Sequence, residues 1–354
     1  MPLQDDPQLK WLGWDSWFDT RYWPLYEDGL VPARVCADFG AEYVVRDGID
    51  SMRAVVSARL RETGPMPAVG DWVALEHRGG TSVIHAVVER RTVFSRKAAT
   101  DVSKEQVLAA NVDVAFIVAS AQDVNARRVE RYLTMAWQSG ASPVVVLTKA
   151  DVADALDDVQ HELELAAGSS PVVVTSSVTG EGVAGVLDLL RPARTGVLLG
   201  PSGAGKSTLI NRMAGAELMK TRDVHRSGEG RHMTSHRQLV ELPGGGLIID
   251  TPGLREAQLW QGDDALGNLF EDIEALALQC RFADCRHQTE PGCAIKSALA
   301  DASLDEGRLD SYRKLQRELR AVAARTNARL RTDERRKWKQ INIANRARER
   351  LGRQ

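Results

Sequence analysis

Hydrophobic positions change their spacing three times along this chain, and each change marks a different kind of architecture. From about Leu30 to Phe94, five short β-prone segments (LVPARVCADF, AEYVVRD, MRAVVSARL, DWVALEH and SVIHAVVER) are separated by Gly, Asp and Pro clusters that mark turns. Five strands in so short a span predict a small closed or nearly closed barrel of OB-like type. Gly70-Asp71 reads as the turn that launches the strand at Trp72. Val73 and Leu75 then share the inner face, and Trp72 and Glu76 the other. Such a barrel either binds oligonucleotides or serves as a packing scaffold; the pattern leaves both open.

From Val112 to about Ile273 the spacing changes. VDVAFIVASA, SPVVVLTKAD, SPVVVTS, TGVLLGP and GGLIIDTPG are apolar runs without clean alternation, as strands of a buried parallel sheet require. Amphipathic stretches at Arg127–Gln138 and Ala153–Leu165 supply covering helices. After Leu254 the pattern becomes helical and irregular, with long stretches over Asp305–Ala324 and Asp333–Leu351. The expected division is an arm over 1–27, a barrel over 28–98, an α/β domain over 99–273 and a helical module over 274–354. Trp11, Trp14 and Trp17 in the arm either pack on the next domain or leave it partly ordered; both remain open.

Composition refines this picture. A chain of 354 residues is long for one core, which favours several domains. No run of 18 consecutive apolar residues occurs, so no bilayer-spanning helix is expected. The acidic, aromatic N-terminal stretch is unlike a signal peptide. Of only four cysteines, Cys280, Cys285 and Cys293 share one short segment, which fits a reduced, cytoplasmic protein with a local metal site better than a disulfide scaffold. The net charge of -2 conceals an asymmetry: Arg313 to Gln354 carries 15 Lys/Arg against 4 Asp/Glu, the remainder 31 against 44. A basic surface attached to an acidic body points to a polyanionic partner, with a solvated arginine-rich helix as the plainer alternative.

The chemistry-bearing motifs lie at the ends of the apolar runs. Gly200-Pro201-Ser202-Gly203-Ala204-Gly205-Lys206-Ser207-Thr208 follows the run GVLL and opens a helix pattern, the strand–loop–helix context of a phosphate-binding loop. Glycines turn backbone N–H groups toward a β-phosphate, and the helix N-terminus adds its positive end. Lys206 is expected to bridge β- and γ-phosphate oxygens and Ser207 to ligate Mg²⁺. Asp250, at the end of LIID, would hold the Mg²⁺ hydration shell, and Gly253 would offer its N–H to the γ-phosphate. The polar segment from about Met219 to Arg237 reads as a switch loop, with Thr234 the first candidate for a second Mg²⁺ hydroxyl ligand and Ser235 the alternative. Leu254 stands where many small GTPases place a water-orienting Gln, so unaided hydrolysis should be slow. His232 is the first candidate to help, His236 the second; either histidine alternatively packs or touches nucleic acid.

Thr148-Lys149-Ala150-Asp151 supplies a guanine test. Asp151 can accept from N1–H and the N2 amine together, a donor pair that adenine lacks. Lys149 packs its stem over the base, and Thr148, in place of the more usual Asn, is left to brace the phosphate loop. Backbone N–H groups of Thr175-Ser176-Ser177 would meet guanine O6. These base-reading loops precede the phosphate loop, the reverse of the usual order, which makes the domain a circular permutation. Permutation is physically cheap because domain termini lie near each other. Cys280-x₄-Cys285-x-His287-x₅-Cys293 offers three thiolates and an imidazole, a set suited to structural Zn²⁺; the alternative is reduced, buried cysteines. Arg313, Lys314, Arg317 and Arg320 recur at helical spacing, and Arg335, Arg336, Lys337 and Lys339 surround Trp338. This density of cation with an aromatic favours RNA over a membrane surface.

Jointly, VGDW (69–72), EQVLAANVD (105–113), TKAD, GPSGAGKST, GRHMTS, DTPG and CRFADCRHQTEPGC resemble the bacterial circularly permuted GTPases that depend on the small ribosomal subunit. The resemblance covers about residues 30–325. It implies an α/β circularly permuted P-loop GTPase domain with an N-terminal OB-like barrel and a C-terminal, mostly helical, zinc-binding domain. It also implies late small-subunit maturation, binding to 16S ribosomal RNA and subunit-stimulated GTP hydrolysis. By the same resemblance Cys280, Cys285, His287 and Cys293 bind zinc, and His232 matches the histidine thought to aid hydrolysis. Thr148 for Asn and Met233 for Thr depart from the family pattern, and Met233 loosens the Mg²⁺ hydroxyl assignment. The expected protein is a cytoplasmic monomer using GTP/GDP, Mg²⁺ and Zn²⁺. The competing reading is a GTP-gated RNA-binding factor in which hydrolysis is incidental. A phosphoryl-transfer enzyme is disfavoured because no acceptor site is recognisable.

Overall fold

The computed structural model describes residues 3–25, 29–97, 105–218, 237–251, 269–282, 285–288 and 290–326. The chain forms two compact units, one of residues 1–100 with 104–258 and one of 101–103 with 259–354.

In the first unit, β1 (Leu30–Asp38), β2 (Tyr43–Arg46), β3 (Ser51–Val56), β4 (Trp72–Glu76) and β5 (Ser82–Val87) close into a barrel. Neighbours run β1–β2–β3–β5–β4, and β4 returns to pair with β1. This closure is what an OB-like barrel requires. Val35, Val45, Val56, Val73, Leu75 and Ile84 fill the interior. The segment MRAVVSARL is not strand throughout: β3 stops at Val56, and Ser57 Oγ accepts the Leu60 amide to cap a short helix, Ala58–Thr63. A side-chain cap wins there over β-propensity because it satisfies an otherwise orphaned helix N–H.

The arm packs on the barrel. Its helices Pro7–Trp11 and Ser16–Tyr22 are capped by Asp6 and Asp15. They lay Leu9, Leu12, Trp14, Phe18 and Tyr22 over the outer face of β4, around Trp72 and Ala74. Trp14 meets Trp72 edge to face, with ring centroids 4.7 Å apart, a favourable aromatic geometry. Trp72 is therefore fully buried although it points away from the barrel interior.

Arg34 ties these parts together. Its guanidinium donates to the carbonyls of Leu12 in the arm, Gly70 in the β4 turn (3.3 Å) and Asn111 (3.2 Å), and to Thr195 Oγ1 (2.8 Å). Burial pulls its pKa down to about 10, which still leaves it charged at neutral pH. At the turn itself, Gly70 has φ +94°, and a Cβ there would come within 2.1 Å of the Ala110 carbonyl oxygen. The VGDW turn therefore requires glycine.

A hairpin of β6 (Val93–Lys97) and β7 (Glu105–Ala110) leads into the second half of the unit. There β8 (Val114–Ser120), β9 (Ser142–Thr148), β10 (Val172–Val174), β11 (Thr195–Leu199), β12 (Arg237–Glu241) and β13 (Leu247–Asp250) lie in the spatial order β10–β9–β8–β11–β13–β12. All neighbours are parallel except β12, which runs antiparallel to β13. Apolar side chains such as Phe116, Val146, Val186, Leu209 and Ile248 form the core beneath it. The outer edge of β12 pairs with β1, so one 11-stranded sheet continues from this domain into the barrel.

The second unit contains helices Glu271–Ala277, Ala294–Ala300 and Glu306–Thr326. Phe270 and Tyr312 pack edge to face, and Arg308 binds Asp272 through two nitrogens at 2.7 and 2.9 Å. The stretch expected at Asp333–Leu351 and the basic cluster around Trp338 lie outside the described residues. Among the described residues, no helix is long and apolar enough to cross a membrane.

Candidate functional site

In an open α/β sheet, ligands collect beyond the carboxyl ends of the strands. The candidate residues lie along that edge. The registers place Thr148 beside Ser120, Val174 beside Leu147, Leu199 beside Ile117, and Val197 beside Ile249. The loops following β9, β10, β11 and β13 thus emerge on one side of the sheet.

After β11 the chain enters the phosphate loop through Gly200, whose φ of +147° and close approach to Val118 exclude a side chain: a Cβ would lie 2.4 Å from the Val118 carbonyl oxygen. Gly203 and Gly205 also have positive φ, and Gly205 starts the helix Lys206–Ala214. Ala204 is buried, while Pro201 and Ser207 are half-buried and Ser202, Gly203 and Thr208 are exposed. The Lys206 ammonium donates to the carbonyl oxygens of Gly200 (2.7 Å) and Pro201 (2.6 Å). It is thereby folded back across the loop, over the helix N-terminus, where an anionic phosphate is favoured.

The base-reading loops brace this loop and each other. Thr148 Oγ1 lies 2.6 Å from the Ala204 carbonyl oxygen and 3.1 Å from that of Ala119. The shorter side chain at this position still reaches the phosphate loop. Lys149 adopts a left-handed φ of +61° and its Nζ donates to Gln122 Oε1 at 3.3 Å. Ser176 Oγ donates to Asp151 Oδ1 (2.6 Å) and accepts the Thr179 amide (3.1 Å). Thr175 is anchored by its Oγ1 and N–H on the Leu147 carbonyl. Asp151 is exposed, its carboxylate oriented by Ser176, and Ser177 is half-buried on the same loop.

Asp250 closes the phosphate end of this edge, half-buried at the tip of β13. Next to it, the buried Thr251 hydroxyl has no hydrogen-bond partner among the described residues, an orphan that a bound group or its water shell would satisfy. Together with side-chain-free glycines and a lysine, this fits a nucleotide with its cation. His232, Thr234, Ser235, His236, Gly253 and Leu254 lie outside the described residues.

In the second unit, Cys280, Cys285, His287 and Cys293 place all four ligand atoms within 4.8 Å of one another. His287 Nδ1 stands 3.5 Å from both Cys280 Sγ and Cys293 Sγ, and those two sulfurs are 3.9 Å apart. Tetrahedral bonds of about 2.3 Å to sulfur and about 2.05 Å to nitrogen would separate neighbouring ligands by about 3.8 Å (S···S) and about 3.5 Å (S···N). The cluster therefore has the dimensions of a four-coordinate metal site. Its backbone is shaped for this: His287 (φ +57°) and Gly292 (φ +73°) take left-handed turns, and Cys293 caps the helix Ala294–Ala300. Arg313 Nη2 donates to the His287 carbonyl at 2.8 Å, fixing the ligand loop to the long helix. Burial lowers the His287 pKa, which favours the neutral imidazole that a metal needs. Burial and the neighbouring thiols push Cys285 up to about 11, a crowding that a dication would relieve.

Two parts of this arrangement were not read from the sequence. β12 begins at Arg237, where the stretch assigned to the switch loop ends, and was not read as a strand although RQLVELPGGG has the strand-then-glycine pattern of a hairpin. Arg34 carried no signal, because its acceptors are mostly backbone carbonyls.

Comparison with known proteins agrees with the geometry. A profile of the RsgA GTPase family matches residues 87–260. The small ribosomal subunit biogenesis GTPase RsgA of Opitutus terrae is 45% identical, over 97% of this chain and 98% of that protein. The protein of the same name from Streptomyces avermitilis is 46% identical over 92% and 90%. The crystal structure of YjeQ from Thermotoga maritima superposes with a TM-score of 0.64 at 25% identity, covering 82% of this chain and 98% of that one. YloQ, described as a circularly permuted GTPase, shares the fold with a TM-score of 0.59 at 22% identity, over 84% and 97%. The permuted sheet, its loop edge and these near-full-length relatives show that the chain belongs to the RsgA family of circularly permuted GTPases and hydrolyses GTP.

Proposed function

We propose that this GTPase acts on the small ribosomal subunit late in its maturation, docking on ribosomal RNA with GTP bound and leaving after hydrolysis. The observation that carries the proposal is the near-full-length match to small ribosomal subunit biogenesis GTPases, which extends through the barrel and the Cys/His module. The basic sequence beyond Arg313 supplies the charge for a phosphate backbone. The protein works as a cytoplasmic monomer, with an arm over 1–27, a barrel over 28–98, the GTPase domain over 99–273 and a zinc module over 274–354.

At the site, the ammonium of Lys206 turns from the Gly200 and Pro201 carbonyls to the β- and γ-phosphates. The amides from Gly203 to Thr208 surround the β-phosphate. Ser207 would ligate Mg²⁺, with Thr234 as a further hydroxyl ligand, and Asp250 would hold the ion's hydration shell; the ion would supply neutralisation of charge developing on the phosphates. Asp151 accepts from the two guanine donors, held in place by Ser176, while Lys149 covers the base and the Ser176–Ser177 amides meet O6. Leu254 cannot orient water, so His232 does so when the subunit is bound. Zn²⁺ on Cys280, Cys285, His287 and Cys293 is structural, because four protein ligands leave no open position.

Co-sedimentation with purified small subunits tests the proposal. Retention with a non-hydrolysable GTP analogue and release with GDP is the expected result. Equal sedimentation with either nucleotide, or none, would overturn it.

A further inference from the structure

β13, which carries Asp250, has two neighbours: β11 with the phosphate loop, and β12. The far edge of β12 is held by the barrel. Ala37 of β1 pairs with Gln238, and Gln238 pairs with Asp250. One rung of backbone thus runs from the barrel through β12 to the candidate phosphate-end carboxylate. Among the described residues two residue pairs join β1 to β12, the other being Asp38 with Arg237. Side chains add to this ladder in fixing its register.

Side chains do clamp both ends of β12. At its start Arg237 Nη1 stands 3.3 Å from Asp38 Oδ2, with the two side chains only 16% and 18% exposed. At its finish Glu241 receives Arg46 of β2 and the indole N–H of Trp11, the latter at 3.2 Å. A third contact reaches β13 directly: a Cβ on Gly70 of the barrel turn would lie 2.9 Å from Ile249 Cδ1, one residue before Asp250.

We propose that Asp38, Arg237 and Glu241 are positioning residues for recognition of the triphosphate state, with the barrel setting the position of Asp250 through β12. The proposal rests on Asp250 acting at the phosphate end. β12 and β13 form the antiparallel end of the otherwise parallel domain sheet, and beyond β12 the next strand is β1 of the barrel, so the position of β12 is tied to the barrel. The phosphate and base loops hang from β9, β10 and β11, none of which pairs with β12. Loosening β12 should therefore weaken binding of GTP with its cation while sparing GDP, whose contacts lie in those loops. Because coupling is reciprocal, a ligand on the barrel that shifts β12 would change nucleotide preference by the same factor.

The test uses the full chain, with fluorescent GDP and a fluorescent non-hydrolysable GTP analogue in Mg²⁺, alongside basal kcat and KM. Asp38→Ala and Glu241→Gln should each lower affinity for the analogue roughly five- to tenfold. GDP affinity and the melting temperature of Glu241→Gln should stay near wild type. The exchanged pair Asp38→Arg with Arg237→Asp should restore the analogue affinity, which a simple loss of packing would not predict. Asp250→Ala is the reference. If it leaves the analogue-to-GDP ratio unchanged, the assignment of Asp250 fails and the inference with it. If Asp250→Ala shifts the ratio while folded Asp38→Ala and Glu241→Gln do not, or weaken both nucleotides equally, the inference alone is overturned.

Discussion

At the scale of the residue, the nucleotide site separates into side chains that face a ligand and side chains that hold the loops. In the proposed site Lys206, Asp151 and Asp250 are of the first kind; Thr148, on the Ala204 carbonyl, and Ser176, on Asp151, are of the second. Lys206→Ala should abolish measurable GTP turnover in a chain that stays folded by circular dichroism, because its ammonium is the cation of the phosphate loop, where it bonds the Gly200 and Pro201 carbonyls among its partners. Asp151→Ala should cost on the order of 3 kcal/mol of GTP binding, about a hundredfold, without a gain for ATP; competition binding with the two nucleotides checks this. These residues were legible because their spacing is set by local chemistry, a loop of glycines before a helix or a TKAD after an apolar run. Arg34 was not, since its acceptors lie between 22 and 161 residues away. Replacing it with Met would leave the Leu12, Gly70 and Asn111 carbonyls without this donor. A loss of roughly 3–5 kcal/mol in denaturant unfolding is expected.

At the scale of the element, the parallel strands were legible from unbroken apolar runs. The barrel strands were legible from alternation, apart from the helix that Ser57 starts inside MRAVVSARL. β12 was obscured by its polar neighbours, and its pairing with the barrel is a tertiary fact that no local pattern carries. The arm illustrates the same limit: its tryptophans do not name their partners, which prove to be Trp72 for Trp14 and Glu241 for the exposed Trp11. Trp14→Ala should destabilise the first unit by roughly 3–5 kcal/mol, read from guanidinium unfolding, because the cavity would open in a fully packed cluster. In the second unit the Cys/His spacing announced its chemistry, and the 3.5 and 3.9 Å ligand separations give it dimensions. Metal analysis should return one zinc per chain. Cys285→Ser should lower that stoichiometry and make the helices around the cluster sensitive to proteolysis; a well-folded wild-type chain without zinc would contradict the assignment.

At the scale of the whole molecule, the permutation was visible from motif order alone, and its consequence becomes clear in the sheet. The base-reading strands enter from the barrel side of the chain, and the strand ending in Asp250 leads on toward the Cys/His module. Both ends of the permuted domain are thus continuous in sequence with another module, the barrel before it and the Cys/His module after it. Charge follows the same division, with an acidic body and a strongly basic C-terminal sequence. With Leu254 in place of a water-orienting glutamine, the proposed function has a partner complete the hydrolytic site. The most direct measurement is steady-state GTP turnover by the full-length protein with and without purified small ribosomal subunits. A slow basal rate that rises on the order of a hundredfold with subunits, and does not rise in His232→Ala, is the expected result. Equal turnover in the presence and absence of subunits would contradict it.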